Sequence, residues 1–413
     1  MSGFRVRMLP VVLLTAVVGG LAVVPAGQAA RAATPVGRDA RAGRAPGSLV
    51  TALPGRLFGV SAVSPADVWA VGNDCSAGPC TTLTLHWNGT SWSKVASPSP
   101  GNGGYAILTA VYALSATSAW AVGDYCPTND CTVEDTLILH WNGTAWARVN
   151  SPGPSSPLAQ LLGVIAISPT SAWAVGDYVS MASGQCQTLI LRWNGRAWSQ
   201  VNSPNPSPGH SNFLTAVGGT SSTGLWAAGY YGTRSLNDDT LILHWNGTAW
   251  SQVNSPSTHS SVNQLEGVTA SSQARGWAVG YYATGTAFGY KTLILRWNGT
   301  SWSLASSPDP SRAGENFLSA VTATSPANAW AVGEYCVSHC GPGEVFGTLI
   351  LHWNGTRWSA VNSPSPSSTG RNFLDGVAAT SATNAWAVGT YPDTSNVQHV
   401  LILHWNGTTW SRA

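Results

Sequence analysis

Trp87-Asn88-Gly89-Thr90-Ser91-Trp92 is the first of seven copies of one motif. The later copies begin at Trp141, Trp193, Trp245, Trp297, Trp353 and Trp405, and arginine replaces threonine in the copy at Trp193. A W-A-V-G-type stretch precedes each copy, with its tryptophan at Trp69, Trp120, Trp173, Trp226, Trp277, Trp330 and Trp386. These three positions account for all 21 tryptophans. The chain is therefore one unit of about 52 residues repeated seven times.

The sixth copy shows how one unit is expected to fold. Residues 317–323, 329–333, 348–353 and 357–361 are rich in alternating, β-branched or aromatic residues, which predicts four strands. A turn at Pro326 joins the first two strands, and a long loop, residues 334–347, joins the second and third. Asn354-Gly355 joins the last two and predicts a hairpin with a type I′ turn, in which both central residues have positive φ.

Both faces of the third strand are apolar, since Leu349 and Leu351 lie on one face and Ile350 on the other. Such a sheet needs cover on both sides, which a closed ring of seven sheets provides. The sequence therefore predicts an all-β protein, a seven-bladed β-propeller with four-stranded antiparallel blades. A parallel β-helix is the alternative, but its coils are shorter and need no Asn-Gly hairpin. We expect the tryptophans to form the core rather than an exposed platform for sugars.

The unit resembles the kelch-type repeat of galactose-oxidase-like propellers. The resemblance rests on the strand Trp330-Ala331-Val332-Gly333 and on Trp358 before a proline-containing connector, and it covers about residues 56–413. Kelch repeats usually carry a double glycine, whereas Glu334 follows Gly333 here. The Asn-Gly-Thr-x-Trp turn is also similar to the aspartate-box hairpin of sialidase-like propellers, with asparagine replacing the acid. The resemblance implies the propeller fold and no family's active site.

The N-terminal segment indicates export. Residues 1–32 combine Arg5 and Arg7 with an apolar run and small residues, as in a bacterial secretory signal peptide; an uncleaved membrane anchor is the alternative. Residues 33–55 are rich in Ala, Gly, Pro and Arg and predict a flexible leader, and residues 56–413 form the propeller. We expect a secreted monomer without a membrane span after cleavage.

The charge of the repeats excludes one class of partner. From Arg56 onward, 13 Lys and Arg stand against 16 Asp and Glu, and no basic stripe is present. Nucleic-acid binding needs such a stripe to contact phosphates, so we expect no nucleic-acid partner.

The seven cysteines indicate an oxidising compartment. Six of them form close pairs after a W-A-V-G-type strand, which predicts the disulfides Cys75–Cys80, Cys126–Cys131 and Cys336–Cys340. Cys186 is left over in the same loop of the third unit. Metal ligation is the alternative, but it needs four ligands from loops that lie on different blades.

The loop between the second and third strands varies most in length and is the expected place for recognition. From the last tryptophan of one copy to the next W-A-V-G-type tryptophan is always 27 or 28 residues, whereas from there to the hairpin tryptophan is 18 to 23. Tyrosines and carboxylates at the start of these loops are the candidate ligand-binding residues. They are Asp124, Tyr125, Asp177, Tyr178, Tyr231, Tyr282, Glu334, Tyr335 and Tyr391. Capping of the strand ends is the alternative role.

Two further repeated features have structural explanations. His86, His140, His244, His352 and His404 share one slot with Arg192 and Arg296, which indicates a polar position between blades rather than a catalytic one. The six Asn-Gly-Thr sequons are explained by the tight turn.

Asp238 and Asp239 form one acidic pair that could bind a cation. We predict no catalytic residue, no metal and no cofactor.

Three functions remain from the sequence. An exported non-enzymatic propeller would bind a polysaccharide or protein through its long-loop face. An enzyme, such as a lyase, glycosidase or oxidase, would need residues that break the repeat symmetry, such as paired carboxylates near the axis, and the sequence shows no such set. A purely structural surface protein is the third. The sequence also leaves open whether the ring closes by contacts between blades or by a blade that both termini share.

Overall fold

The computed structural model describes residues 53–413 except 102, 155, 236, 287–288, 313, 339 and 341–343. The predicted signal peptide and nearly all of the predicted leader lie outside the described residues. The described part forms seven four-stranded sheets, each built from four consecutive antiparallel strands. No helix within it has the length and hydropathy needed to span a membrane.

Each unit contributes one blade, numbered 1 to 7 in chain order. The first strands are β1 Arg56–Ser64, β5 Ala106–Ser115, β9 Ala159–Ser168, β13 Asn212–Ser221, β17 Asn263–Ser272, β21 Asn316–Ser325 and β25 Phe373–Ser381. The second strands are β2 Asp67–Asp74, β6 Ser118–Tyr125, β10 Ser171–Val179, β14 Gly224–Gly232, β18 Arg275–Ala283, β22 Asn328–Ser338 and β26 Asn384–Pro392. The third strands are β3 Thr81–Trp87, β7 Asp135–Trp141, β11 Cys186–Trp193, β15 Asp238–Trp245, β19 Tyr290–Trp297, β23 Val345–Trp353 and β27 Gln398–Trp405. The fourth strands are β4 Trp92–Val95, β8 Trp146–Val149, β12 Trp198–Gln200, β16 Trp250–Val253, β20 Trp302–Leu304, β24 Trp358–Val361 and β28 Trp410–Arg412.

The predicted seven-bladed propeller is confirmed. The first strand of each blade contacts the first strands of both neighbours, so these strands surround the axis. The sheet order then places the fourth strand outermost. The second strands are longer than predicted: β22 continues to Ser338, five residues into the predicted loop. It does so because Glu334 and Tyr335 pair with Thr348 and Gly347 of the third strand, which satisfies their backbone groups.

The tryptophans form the seams between blades, as predicted. Trp226 of blade 4, for example, packs against Trp297 and Trp302 of blade 5, with ring centroids 4.7 and 5.2 Å apart. The last seam repeats this arrangement, because Trp386 of blade 7 packs against Trp87 and Trp92 of blade 1 at 5.1 and 5.2 Å. Blade contacts of the same kind therefore close the ring.

A short backbone pairing supplements this closure. The amide of Val400 in β27 donates to the carbonyl of Leu53, and the amide of Gly55 donates to the carbonyl of Gln398. Residues 53–55 thus pair with β27 of blade 7, but no strand of blade 1 joins the sheet of blade 7. This answers the question of ring closure that the sequence left open.

The hairpin between the third and fourth strands is where it was predicted, but the predicted type I′ turn is wrong. In blade 6 the paired Trp353 and Trp358 enclose a four-residue loop, in which Gly355 has a φ of 95° and is the residue with positive φ. The side-chain oxygen of Asn354 accepts bonds from the amides of Thr356 and Arg357, at 3.0 and 3.1 Å. Because this side chain caps the loop, the asparagine keeps an ordinary backbone conformation.

The glycine that ends each W-A-V-G-type stretch lies opposite a bulge in the first strand. In blade 6 the register of β21 and β22 shifts between Leu318 and Ala320, and the carbonyl of Phe317 then lies against Gly333. A Cβ atom on Gly333 would stand 2.0 Å from that oxygen. Only glycine fits beside a bulge of this kind.

We expect Gly333→Ala to lower the free energy of unfolding by about 1–3 kcal/mol, because the backbone of β21 or β22 must move. Gly209→Ala is the matched control, since a Cβ there meets nothing within 4 Å and its φ is ordinary. Urea unfolding of both variants measures the difference. Equal midpoints for Gly333→Ala and the parent would show that the bulge yields without cost.

Candidate functional site

One end of the propeller carries all the long connections. We call it the long-loop face: the second-to-third strand loops, the connectors between blades and the adjoining strand ends. Hydrogen bonds hold the connectors in place, as between the hydroxyls of Thr188 and Ser203 at 2.6 Å, and of Thr348 and Ser363 at 2.6 Å. The opposite end, the short-turn face, consists of the first-to-second turns and the third-to-fourth hairpins. The long-loop face is therefore a set of varied loops on a fixed base.

Three of these loops contain the predicted disulfides, Cys75–Cys80, Cys126–Cys131 and Cys336–Cys340, which are confirmed. Cys186 is a free thiol, and burial together with the charge of Asp177 raises its pKa to about 11. A thiol with this pKa is a poor nucleophile near neutral pH.

The candidate carboxylates and tyrosines occupy adjacent positions of the second strands, so they point to opposite sides of each blade. Asp124 shares its side with Trp120 and Val122, which pack against blade 3. Tyr125 packs with Trp69 and other residues of the seam toward blade 1. The candidate residues thus form two separate sets: three carboxylates, on blades 2, 3 and 6, and six tyrosines, on blades 2 to 7.

The six candidate tyrosines lie beside the outer strands of their blades. The guanidinium of Arg148 lies 4.5 Å from the ring centroid of Tyr125 and donates to its hydroxyl at 2.5 Å, and this hydroxyl donates to Asp135 at 3.2 Å. In blade 7, Arg412 covers Tyr391 in the same way, at 5.0 Å from the centroid. Tyr231, Tyr282 and Tyr335 are half-buried in the seams of blades 4, 5 and 6. Tyr178 borders a cavity of about 400 Å³ in blade 3.

Two of the carboxylates are deeply buried: Asp124 on the side of blade 2 that packs against blade 3, and Asp177 on the side of blade 3 that packs against blade 4. Asp124 and Asp177 are only 1% and 5% exposed, and Glu134 acts on both. Burial, with the charge of Glu134, raises the pKa of Asp124 to about 7. A hydrogen bond from the Tyr105 hydroxyl opposes this shift. These carboxylates are an electrostatically coupled group.

The environment of Asp177 differs from that of Asp124 in one respect. Burial again raises the pKa to about 7, but the Gln160 amide donates to both carboxylate oxygens, at 3.1 and 3.4 Å, and opposes the shift. The sequence showed no paired carboxylates, because Asp124 and Asp177 are 53 residues apart. Their equal positions, four residues after a W-A-V-G-type tryptophan in successive units, were the available signal.

Glu334 lies in a separate group at blades 6 and 7. The guanidinium of Arg371 contacts Glu334 at 3.3 Å and Glu344 at 3.5 Å, and lies 4.1 Å from the ring centroid of Phe346. The first contact joins blade 6 to the connector that enters blade 7. Sequence reasoning missed Glu344 and Arg371, which have no equivalents in the other units.

A third polar group surrounds Asp238, whose partner Gln264 the sequence analysis did not name. Gln264 donates to Asp238 at 2.7 Å and accepts a bond from the hydroxyl of Tyr281. Burial and nearby acids, first Glu266, raise the pKa of Tyr230. Asp238 thus has an amide partner, and it and Asp239 are successive residues of a strand, so they point to opposite sides of the blade. Among the described residues, no three His, Cys, Asp or Glu side chains are arranged as ligands of a metal ion.

The charges are segregated between the two ends. Of the 16 carboxylates from Arg56 onward, 13 lie on the long-loop face. They are Asp74, Asp124, Asp130, Glu134, Asp135, Asp177, Asp238, Asp239, Asp309, Glu315, Glu334, Glu344 and Asp393. The short-turn face carries five arginines and one acid, Asp67. The arginines are Arg192, Arg196, Arg275, Arg296 and Arg357. The other eight Lys and Arg residues from Arg56 onward also lie on the long-loop face, so its excess is 13 minus 8, or five negative charges, which disfavours polyanions.

The slot shared by histidine and arginine is a seam position, in agreement with the prediction. His352 stacks on Trp330 with ring centroids 4.2 Å apart, and Arg192 lies 5.1 Å from the ring centroid of Trp173. Burial lowers the pKa of His352. The imidazole is therefore neutral near pH 7 and acts as a flat packing group.

No protein-family model matches the chain, and no curated protein is similar to it in sequence. Solved structures share its fold. YCF48 bound to D1 peptide superposes with a TM-score of 0.50 at 13% identity, covering 86% of this chain and 94% of that one. A polysaccharide lyase, the PL25 ulvan lyase, superposes with a TM-score of 0.53 at 10% identity, covering 88% and 97%. The same lyase bound to -[GlcA(1-4)Rha3S]- gives 0.51 at 11% identity, again covering 88% and 97%. At these identities the likeness shows the β-propeller fold.

Proposed function

We propose that this chain is an exported, non-enzymatic β-propeller that binds a polysaccharide or protein ligand on its long-loop face. One observation carries the proposal. Seven blades with the same tryptophans and the same hairpin differ from one another mainly at this face. A scaffold needs no such differences, whereas a recognition surface does. Peptide and saccharide complexes of propellers with the same fold support both ligand classes.

The charge of the face narrows the choice of ligand. Its excess of five negative charges disfavours acidic polymers, so we expect a neutral polysaccharide or a protein segment that is not acidic. The three disulfides are consistent with export, because such bonds persist in oxidising compartments.

The enzyme alternative is favoured by Asp124 and Asp177, two buried carboxylates that both interact with Glu134. Both carboxylates lie beneath the surface, at 1% and 5% exposure. A catalytic acid must come within hydrogen-bond reach of the bond it cleaves, and the burial of these side chains keeps them from a ligand on the surface. They therefore support binding at the face above them more than bond cleavage.

A binding screen tests the proposal. The oxidised protein is titrated with neutral polysaccharides, acidic polysaccharides, basic peptides and acidic peptides. We expect saturable binding to a neutral or basic probe, weakened at least tenfold by alanine at Tyr178, Tyr231, Tyr282 and Tyr335 together. The matched control replaces Arg196 and Arg357, which are exposed on the short-turn face, and leaves binding unchanged.

Hydrogen exchange on the unmodified protein locates the ligand independently of any loss of stability in the tyrosine variant. Protection of the long-loop segments supports the proposal. Binding that only the arginine variant abolishes places the site on the other face. The absence of saturable binding to any probe favours a structural surface protein. Cleavage of a polysaccharide during the titration identifies an enzyme.

A further inference from the structure

The cavity in blade 3 lies at the outer part of the long-loop face and has about 400 Å³ of space. This volume is within the usual range for small-ligand sites. Its wall contains one aromatic ring and several amides and hydroxyls, but no charged side chain. The lining residues are Tyr178, Gln187, Thr188, Gln200, Val201, Asn202, Ser203 and Asn205.

Blade 2 shows which side chains contact the tyrosine equivalent to Tyr178. In blade 2 the guanidinium of Arg148 covers Tyr125, and Asp135 accepts a bond from the tyrosine hydroxyl. Arg148 pairs with Leu139 of the third strand, and Asp135 pairs with Tyr125. These four side chains fill the outer part of blade 2.

Blade 3 has glutamines at both charged positions. Gln200 pairs with Leu191, as Arg148 pairs with Leu139, and Gln187 pairs with Tyr178, as Asp135 pairs with Tyr125. The guanidinium that covers the ring in blade 2 is thus replaced by a shorter amide. The space beside Tyr178 lies where the guanidinium stands in blade 2. Blade 3 differs from blade 4, which also has a glutamine here (Gln252), in having Gln187 in place of an acid.

The floor of the cavity is held in place by its own hydrogen bonds. The Thr188 hydroxyl bonds to that of Ser203 at 2.6 Å, and the Thr188 amide donates to the side-chain oxygen of Asn205 at 2.8 Å. The primary amides of Gln187, Gln200 and Asn202 complete the wall. Primary amides both donate and accept hydrogen bonds, which suits sugar hydroxyl groups, and the tyrosine ring offers an apolar plane.

We propose that this cavity is a subsite for one ring of a neutral polysaccharide, stacked on Tyr178 and bonded by the glutamine amides. The inference rests on the proposed function and names the ligand class for one part of the same face. A guanidinium or ammonium ligand does not fit, because the acid that accompanies Arg148 in blade 2 is replaced by Gln187.

The test uses the complete exported protein and cellohexaose, maltohexaose and N-acetylchitohexaose as probes, with argininamide as the cationic comparison. Isothermal titration is expected to show binding of at least one hexasaccharide and none of argininamide. Gln200→Arg restores the arginine found in blades 2 and 7, which fills the cavity, and should weaken binding at least tenfold without loss of stability. Tyr178→Ala should have a similar effect.

Gln252→Arg is the matched control, because it introduces the same charge at the same position of blade 4 and should leave binding unchanged. The subsite is overturned if Gln200→Arg does not alter hexasaccharide binding. It is also overturned if argininamide binds and this variant abolishes that binding. If no hexasaccharide binds while a peptide does so on the long-loop face, the subsite fails and the proposed function stands. If neither these probes nor the polysaccharides and peptides of the binding screen bind, both fail.

Discussion

Trp302→Ala is expected to lower the free energy of unfolding by about 3–5 kcal/mol, the usual cost of removing a large aromatic side chain from a core. Trp302 is 5% exposed and lies edge-on to Trp226 of the preceding blade, with centroids 5.2 Å apart. It also packs against Trp297 of its own blade at 5.6 Å. Its indole nitrogen has no hydrogen-bond partner among the described residues, so the loss is one of packing.

Leu304→Ala provides the control on the same strand. Leu304 is 52% exposed, so its replacement should change the stability by less than about 0.5 kcal/mol. Urea unfolding followed by tryptophan fluorescence and by circular dichroism measures both variants. If Trp302→Ala and Leu304→Ala unfold at the same urea concentration, the seam tryptophans do not form the core.

Asp124→Asn is expected to stabilise the protein at pH 8 and to have little effect near pH 4. The pKa of Asp124 is about 7 in the folded state against 3.8 ordinarily, because burial and Glu134 disfavour the charged form. Between these pH values the folded state binds more protons than the unfolded state. The charge of Asp124 therefore costs no stability below about pH 4, and it lowers the free energy of unfolding progressively as the pH rises to about 7. The difference between the two pKa values corresponds to a loss of roughly 4 kcal/mol at most in the free energy of unfolding.

Asparagine resembles the protonated acid in shape and carries no charge, so the variant escapes this loss. Asp177→Asn should behave in the same way, since its pKa is also about 7. Asp130→Asn is the control: hydrogen bonds from Thr128 and Thr132 lower the pKa of this exposed carboxyl, and its replacement should give no gain at pH 8. Thermal unfolding at pH 4.5 and pH 8 tests the prediction. The prediction is contradicted if the melting temperatures of the parent and of Asp124→Asn change equally between the two pH values.

A gain in stability from Asp124→Asn would also bear on function. Residues that reduce the stability of a fold are often retained for binding or catalysis. Asp124 and Asp177 would then mark blades 2 and 3 as the part of the long-loop face where the ligand is held. The cavity beside Tyr178 belongs to blade 3 and lies on the same face.

The candidate site was predictable in part. The second strand and the following loop were correctly placed at one end of each unit, so Asp124, Tyr178 and Glu334 were assigned to the right face. Their partners Gln160, Gln200 and Arg371 were not predicted. Each of them comes from another strand or connector of the fold, and spacing along one unit does not show which of them a side chain meets.

The repeated residues determined the fold. Three tryptophans per unit can be buried only between sheets, and the close cysteine pairs can reach one another only within their own loops, so the propeller and its disulfides followed from the sequence. The tertiary structure decided what depends on neighbouring blades and strands: the closure of the ring at Trp386, the burial of Asp124 and Asp177, and the cavity beside Tyr178. The physical reason is that a side chain's pKa and free space depend on the groups packed around it, and in a ring of sheets most of these come from distant parts of the chain.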